Sequence, residues 1–228
     1  MFKKILIANR GEIAVRVIRT CREMGIRTVA VYSDVDADSL HVRLADEAFP
    51  LGAPEATHSY LNSEKILEIA ERSDAEAIHP GYGFLAENPE FVEACEGRGI
   101  VFIGPPSRSM RKAKPKHEAR NLVRTIGVPV TPGSENAIEI HKDEITNISK
   151  IAEEIGYPLI VKPIGAGGGI GMRVVRDREE LLTAAKYAQN RGLEAFGIPA
   201  FYLEKYLPRV RHIEFQVLAD KKENVVHL

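Results

Sequence analysis

The chain has 228 residues, of which 44% are hydrophobic and 28% are charged, with a formal net charge of -1 at pH 7. This length suits one large globular domain or two modest ones, and the near-neutral charge gives no support for binding to nucleic acid or to a membrane surface. The two isolated cysteines, Cys21 and Cys95, form neither a zinc motif nor a disulfide framework, so we expect a cytoplasmic protein.

The first half of the chain alternates short apolar runs with helical patterns. The patterns predict helices over residues 13–24, 63–72 and 89–97, and strands over residues 4–8, 28–32, 77–79 and 100–103. This alternation favours an open, mostly parallel α/β sheet.

The second half has a mixed character and is expected to form a separate small α+β domain. Residues 107–120 are basic and indicate a connector that leads into a helix ending at Gly127. Beyond it, the patterns predict helices near 142–155 and over 178–190, and strands over 159–162, 172–175, 200–204 and 213–218.

A glycine-rich segment, Gly165 to Gly171, lies between two of these strands. Glycine has no Cβ, so successive backbone N–H groups can approach a phosphate closely. The segment lacks the terminal Gly-Lys-Ser/Thr of a P-loop, and it opens into a strand and not into a helix, which argues against a dinucleotide site. The same composition would also suit a flexible hairpin turn.

Two neighbouring features strengthen the case for a nucleotide. Lys162 ends an apolar strand just before the glycines, where its ammonium could reach phosphates, although a lysine there could also extend into solvent. Glu204 ends another apolar strand and could accept a hydrogen bond from an adenine amine, with the backbone of residues 205–207 binding the ring nitrogen. A strand that leads into a turn is the simpler interpretation of that segment alone.

Two loops in the first half are candidates for substrate binding. Residues 79–88 follow a predicted parallel strand, the end at which ligands gather in open α/β sheets, and they include Tyr82 and Glu87. A tight structural turn is the alternative. Residues 9–12 occupy the first strand-to-helix turn, and their single glycine argues against a dinucleotide site.

Together these segments resemble the biotin carboxylase family, and the resemblance covers residues 1–228. This family forms the biotin-charging unit of acetyl-CoA, propionyl-CoA, methylcrotonyl-CoA and pyruvate carboxylases. The matching segments are residues 7–14, 79–88, 102–105, 162–172, 204–207 and 211–217.

The resemblance implies a fold with several parts. Residues 1–113 would form an open parallel-sheet, Rossmann-like domain that precedes the ATP-grasp fold, and residues 114–133 a connector. Residues 134–206 would form a small α+β lid of the ATP-grasp fold, and residues 207–228 the start of its truncated central domain.

The resemblance also implies a reaction, in which bicarbonate attacks the γ-phosphate of Mg-ATP to give carboxyphosphate, and the resulting CO2 carboxylates N1 of biotin. By position, Lys116 and Lys162 match phosphate-binding lysines, Gly168 and Gly169 match the lid loop, and His212 lies near the ribose. The adenine-binding segment corresponds to Glu204, Lys205, Tyr206 and Leu207. Tyr82 and Glu87 match residues that face the active-site cleft.

The family's Mg2+ ligands and catalytic base are expected beyond Leu228, so we expect no metal ligand or catalytic residue within the chain and little carboxylation by the chain alone. Implied partners are a biotin carboxyl carrier protein or domain and a carboxyltransferase, with a homodimer in the full-length family. The sequence does not name the final acyl acceptor.

The sequence departs from the family pattern around Lys116, where Ala-Lys-Pro-Lys replaces Met-Gly-Asp/Ser-Lys and offers Lys114 as an alternative cation. Ile170 stands where many members have arginine. Two other functions remain open, namely a non-catalytic nucleotide-binding or subunit-association module and another ATP-grasp ligase, such as a carbamoyl-phosphate or purine-pathway enzyme. Residues 9–12 and 79–88 argue against the latter.

Overall fold

A computed structural model describes residues 1–113, 116–140, 145–165, 171–220, 222 and 224–228. The chain divides into two compact units, Met1–Pro115 and Lys116–Leu228. Among the described residues, no helix is both long enough and apolar enough to cross a membrane.

The first unit is built on a five-stranded parallel sheet in the order β3-β2-β1-β4-β5. Its strands are β1 (Lys4–Ile7), β2 (Arg27–Ser33), β3 (Glu47–Gly52), β4 (Ala77–His79) and β5 (Val101–Phe102). Its α-helices are α1 (Gly11–Glu23), α2 (Leu40–Leu44), α3 (Ser63–Arg72), α4 (Pro89–Gly97) and α5 (Ser107–Ala113). The predicted α/β class with a parallel sheet is therefore confirmed.

Both faces of the central strands are buried, which explains their continuous apolar sequences. Leu6 and Ile7, which point to opposite faces of β1, are both fully buried. Leu6 belongs to a core cluster that includes Ile66 and Phe91, whereas Ile7 packs in a second cluster with Ile18. Helices therefore cover the sheet on both sides.

Strand β3 was not predicted from the sequence. Pro50 interrupts its apolar pattern, and proline cannot donate a ladder hydrogen bond. The strand lies at the edge of the sheet, where proline is tolerated.

The basic connector predicted over residues 107–120 is wrong, because the described part of this stretch is helical. Helix α5 buries Met110, and Arg111 donates hydrogen bonds to Glu90 and Glu93 of α4 at 2.7 and 2.9 Å. The basic side chain of Arg111 therefore connects α5 to α4.

The second unit contains a three-stranded antiparallel sheet in the order β7-β6-β8, with β6 at Leu159–Pro163, β7 at Arg173–Val175 and β8 at Phe201–Lys205. Its helices are α6 (Lys116–Thr125), α7 (Ile145–Ile155) and α8 (Arg178–Phe196). Residues of α7 and α8 pack with one face of the sheet around the buried Leu159, Val161 and Leu203.

Helix α8 extends six residues beyond its predicted end at residue 190 and stops before Gly197, which has φ +70°. Strands β9 (Val217–Ala219) and β10 (Val225–His227) form a separate antiparallel pair. The prediction of a strand from residue 213 is wrong at its start, because the ladder with β10 begins only at Val217.

Candidate functional site

The two candidate loops of the first unit meet at the point where the strand order changes direction. Strand β1 lies between β2 and β4, so the loops after β1 and β4 leave neighbouring strand ends. The buried Asn9 side chain joins them, because its Nδ2 donates to the Pro80 carbonyl at 2.7 Å and to the Tyr82 carbonyl at 2.8 Å. Open α/β sheets bind ligands at such a switch point.

The loop after β4 needs glycine at position 81. Gly81 has φ +63°, and a Cβ at that position would lie 2.7 Å from Nδ2 of Asn9 and 3.1 Å from Cγ1 of Ile13. A side chain there would push the Asn9 bridge apart.

Tyr82 and Glu87 lie on this loop and are both exposed. The Tyr82 hydroxyl donates a hydrogen bond to Glu12 at the start of α1, and this bond raises the pKa of Tyr82. The loop thus presents a phenol and a carboxylate to solvent at the switch point.

Asp36 is a buried carboxylate that the sequence analysis missed. Arg10 donates to both of its oxygens, from Nε at 2.8 Å and from Nη2 at 2.6 Å. Tyr60 and Ser33 donate to it at 2.7 and 2.9 Å. The hydrogen bonds from Arg10, Tyr60 and Ser33 hold the pKa of Asp36 well below its usual range, despite its burial.

This cluster supports the candidate substrate loop. The ring of Tyr60 stacks on Phe84, with ring centroids 5.1 Å apart, and the Arg10 guanidinium lies over the same Tyr60 ring, 5.9 Å from its centroid. Phe84 has φ +38°, an uncommon conformation for a residue with a side chain. The stacking fixes this residue of the loop to the Asp36 cluster.

The second unit brings Lys162 and Glu204 together. The Lys162 ammonium lies 2.9 Å from Oε2 of Glu204, and each side chain is 19% exposed. Ile160 pairs with Glu204 across the β6–β8 ladder, and Lys162 pairs with Tyr202, so all four lie on one face of the sheet. The opposite face carries the core residues.

Two apolar positions on the Lys162 face were missed by the sequence analysis. Ile160 lies opposite Glu204 and two residues before Lys162, and it is partly buried; Val174 pairs with Ile160 from β7. The period of two along each strand would have placed Ile160 on the same face as Lys162. An apolar floor therefore lies beside a carboxylate and an ammonium.

The segment after Glu204 has most of its backbone donors engaged. The N–H of Lys205 donates to the Pro132 carbonyl at 2.7 Å, and the N–H of Tyr206 donates to the Pro158 carbonyl at 3.1 Å. The Lys205 ammonium donates to the carbonyls of Gly156 and Tyr157, at 3.1 and 2.8 Å.

Other predicted site residues are not joined to this pair. His212 is exposed and pairs with Glu214 at 2.9 Å, and among the described residues no contact joins it to Lys162 or Glu204. Lys116 is the first residue of α6, but its side chain lies outside what the structure describes. Gly168 and Gly169 also lie outside the described residues.

Among the described residues, no three side chains of His, Cys, Asp or Glu are grouped so that they could hold a metal ion. Carboxylate oxygens are the usual protein ligands of Mg2+. The carboxylate of Glu204 is instead occupied by Lys162.

Comparison with known proteins gives two family matches along the chain. Residues 1–110 match the model described as the biotin carboxylase N-terminal domain. Residues 115–228 match the model described as the ATP binding domain of the carbamoyl-phosphate synthase L chain.

Curated relatives match the chain over its whole length. A pyruvate carboxylase subunit of Methanothermobacter thermautotrophicus is 52% identical over 228 residues, which are 100% of this chain and 46% of the relative. Biotin carboxylase 1 of Bacillus subtilis is 50% identical over 100% of this chain and 50% of its own length. The chain spans about half the length of the curated relatives it matches.

Solved structures show the same fold. The biotin carboxylase domain dimer of 2-oxoglutarate carboxylase from Hydrogenobacter thermophilus, solved with MgADP, ADP and bicarbonate, has a TM-score of 0.90 and 47% identity, covering 100% of this chain and 49% of that one. A biotin carboxylase–βγ-ATP complex from Campylobacter jejuni has a TM-score of 0.92 and 44% identity, covering 100% and 50%.

Proposed function

Because this chain belongs to the biotin carboxylase family, we propose that it takes part in the ATP-dependent carboxylation of biotin with bicarbonate and that its second unit binds the ATP. The observation that carries the proposal is the Lys162–Glu204 pair on one face of the β7-β6-β8 sheet. That face combines a phosphate-binding cation, an acceptor for an amine and an apolar floor.

The adenine ring would lie on the partly buried Ile160, with its exocyclic amine donating to Glu204. Of the three amides predicted to bind the ring nitrogen, those of Lys205 and Tyr206 already donate to carbonyls within the chain. The N–H of Leu207, a residue that is half exposed, is therefore the best candidate for the ring nitrogen.

The phosphates would extend from Lys162 toward the glycine segment that begins at Gly165, the residue that follows β6 after Ile164. We propose that Lys116 is the second phosphate-binding lysine and that Gly168 and Gly169 cover the phosphates. Attack of a bicarbonate oxygen on the γ-phosphorus would break its bond to the β,γ-bridging oxygen, which releases ADP and forms carboxyphosphate. Lysines promote such a transfer by holding the phosphates in line and by neutralising the charge on their oxygens.

We place the biotin-binding side of the reaction in the first unit. Tyr82 and Glu87 are exposed on the loop at the switch point, and Asn9 and the Asp36 cluster hold that loop in place. An aromatic ring and a carboxylate are suited to contact the ureido ring of biotin and its N–H groups. We also propose His212 as a ribose contact.

The domain assignment follows the same proposal. Residues 1–113 would form the domain that precedes the ATP-grasp fold, residues 114–133 a connector, residues 134–206 the ATP-grasp lid and residues 207–228 the start of the central ATP-grasp domain. The division of the chain into units at residue 115 supports a boundary in the connector.

We further propose that the biotin is presented by a carrier protein or domain, that the carboxyl group passes to a carboxyltransferase, and that the functional enzyme is a homodimer in the cytoplasm. The relative from Hydrogenobacter thermophilus was solved as a dimer. Cys21 and Cys95 are free and buried, which supports a reducing compartment.

The second unit alone would also suit a carbamoyl-phosphate synthase, because its family model is described by that enzyme. The biotin carboxylase model over residues 1–110 favours the biotin-dependent reaction for the chain as a whole.

Titration of the purified chain with ATP by calorimetry tests the ATP site directly. We expect saturable binding, and we expect Lys162→Gln to weaken it by about tenfold, since one charge-assisted contact to phosphate is lost. Lys186→Gln, which changes an exposed lysine on α8, is the matched control and should leave the affinity unchanged. Absence of ATP binding by the wild-type chain would contradict the proposal.

A further inference from the structure

Arg120 holds a backbone segment of the second unit against helix α6. Its Nη1 lies 3.2 Å from the Thr131 carbonyl, and its Nη2 donates to the Ser134 carbonyl. Lys116 begins the same helix four residues earlier, which is about one helical turn. A single guanidinium therefore connects the helix of a predicted phosphate lysine to residues 131–134.

Residues 132–134 run beside the strand that carries Glu204. The Lys205 N–H donates to the Pro132 carbonyl at 2.7 Å, and the Ser134 N–H donates to the Leu203 carbonyl at 2.8 Å. Between these two hydrogen bonds, Gly133 forms an antiparallel bridge with Glu204. The segment bound by Arg120 is thus the immediate backbone neighbour of the predicted adenine contact.

Gly133 is enclosed between the guanidinium and β8. A Cβ at position 133 would overlap Nη1 of Arg120 and would lie 2.5 Å from the carbonyl oxygen of Leu203. The rigid Leu203 backbone lies on one side and Arg120 on the other, so any side chain must displace one of them. Glycine is therefore required here by the close approach of these two groups. Its φ lies outside the left-handed region, so the backbone conformation is not the reason.

The positive charge of Arg120 also acts on Tyr202, which lies on the face of the sheet that carries Lys162 and Glu204. Burial and the Glu204 carboxylate raise the pKa of Tyr202 to about 12, and the positive charge of Arg120 acts in the opposite direction. Tyr202 pairs with Lys162 across the β6–β8 ladder. The charge of Arg120 is therefore felt on the face that carries Lys162 and Glu204.

We propose that Arg120 is a positioning residue for ATP, which fixes the distance between the phosphate-binding helix that begins at Lys116 and the adenine-binding backbone beside Glu204. This inference rests on the proposed ATP site. Arginine suits the role because its planar fork holds two separate nitrogens in a fixed geometry, one for each carbonyl, whereas a lysine must reach both from a single nitrogen. The connection matters most for a ligand that spans both ends of the site.

The test compares ATP with two ligands that each occupy one end, adenosine and tripolyphosphate. In Arg120→Gln we expect ATP affinity to fall about tenfold, and the affinities for adenosine and tripolyphosphate to fall less than about twofold. Arg120→Lys keeps the charge and one donor group, so it should recover part of the ATP affinity. Affinities are measured by calorimetry well below the unfolding temperature of each variant.

Arg124→Gln is the matched control, because Arg124 lies one turn further along α6 and its guanidinium pairs with the exposed side chain of Glu135, at 2.6 Å. It should leave all three affinities within about twofold of wild type. Gly133→Ala, which changes the other side of the contact, should also weaken ATP binding more than the binding of adenosine or tripolyphosphate. Gly97→Ala, where a Cβ meets nothing within 4 Å, should not.

Equal losses for ATP, adenosine and tripolyphosphate in Arg120→Gln would overturn the inference and assign Arg120 a purely structural role. Unchanged ATP affinity would overturn it as well, while leaving the proposed ATP site intact. A wild-type chain that binds no ATP would remove both the ATP site and the role of Arg120.

Discussion

Lys162 and Glu204 are diagonal neighbours on antiparallel strands, and their side chains meet at 2.9 Å on a face of the sheet that is only partly covered. Each side chain retains 19% of its exposure, so each charge is largely removed from water and depends on the other. The pair therefore has a role in stability as well as in the proposed binding of ATP.

The single variants Lys162→Met and Glu204→Gln should each lower the free energy of unfolding by about 1–2 kcal/mol, because each leaves an unpaired charge or an orphaned polar group in a partly buried site. The double variant should lose less than the sum of the two. Urea unfolding of the four proteins measures this coupling. Strictly additive losses would show that the ion pair contributes nothing to folding.

Asp36→Asn should destabilise the first unit by about 2–4 kcal/mol, because Arg10, Tyr60 and Ser33 all donate to a carboxylate that is nearly buried. Asp34→Asn, an exposed change two residues away, should cost less than about 0.5 kcal/mol. Thermal and urea unfolding provide the measurement. A loss for Asp36→Asn no larger than that of the control would contradict the importance of the cluster.

Gly81→Ala and Gly83→Ala separate backbone strain from steric conflict in the loop after β4. Both glycines have positive φ, at +63° and +68°, but only at position 81 would a Cβ meet Asn9, at 2.7 Å. We expect about 1–2 kcal/mol of strain at each position, and a clearly larger loss for Gly81→Ala. Equal losses in chemical unfolding would show that the Asn9 bridge yields easily.

Acidification should destabilise the first unit before its carboxylates titrate. Burial lowers the pKa of His41 and of His79, and the Nδ1 of His79 accepts a hydrogen bond from the Gly81 N–H at 3.0 Å. Below about pH 6.5 the unfolded chain therefore binds protons that the folded chain excludes, so the free energy of unfolding falls as the pH falls toward the lowered values.

The measurement is urea unfolding between about pH 7.5 and pH 5, a window that begins above the ordinary histidine pKa. His79→Gln should flatten part of this dependence, whereas His58→Gln, which changes an exposed histidine, should leave the slope unchanged. A wild-type stability that is constant across the window would show that neither His41 nor His79 makes folding depend on pH.

Local signals explain which helices could be predicted to the residue. Helices α3 and α4 begin where predicted because Asn62 and Asn88 cap them, accepting hydrogen bonds from Lys65 N at 3.1 Å and from Phe91 N at 3.0 Å. Such signals lie within a few residues of the helix they start. Strand β3 carries no comparable signal, because its pairing with β2 and not its own pattern defines it.

In the candidate sites, too, contacts between residues far apart in the sequence could not be predicted. Lys162 and Glu204 could each be selected from their strands, but their contact depends on the register between β6 and β8, which are separated by β7 and α8. Arg10 lay within a recognised motif, yet its partner Asp36 is 26 residues away and is set by the sheet topology. Neither the Lys162–Glu204 contact nor the Arg10–Asp36 contact can be inferred from the spacing of these residues along the chain.

The segment beside β8 has a further effect on how the protein behaves at high concentration. The N–H groups of Phe201, Leu203 and Lys205 all donate outward from β8, to the Ile138 carbonyl, the Ser134 hydroxyl and the Pro132 carbonyl. A strand edge whose donors are all occupied offers no template for a strand of another molecule. The backbone of residues 132–138 thereby also protects this edge of the sheet from aggregation.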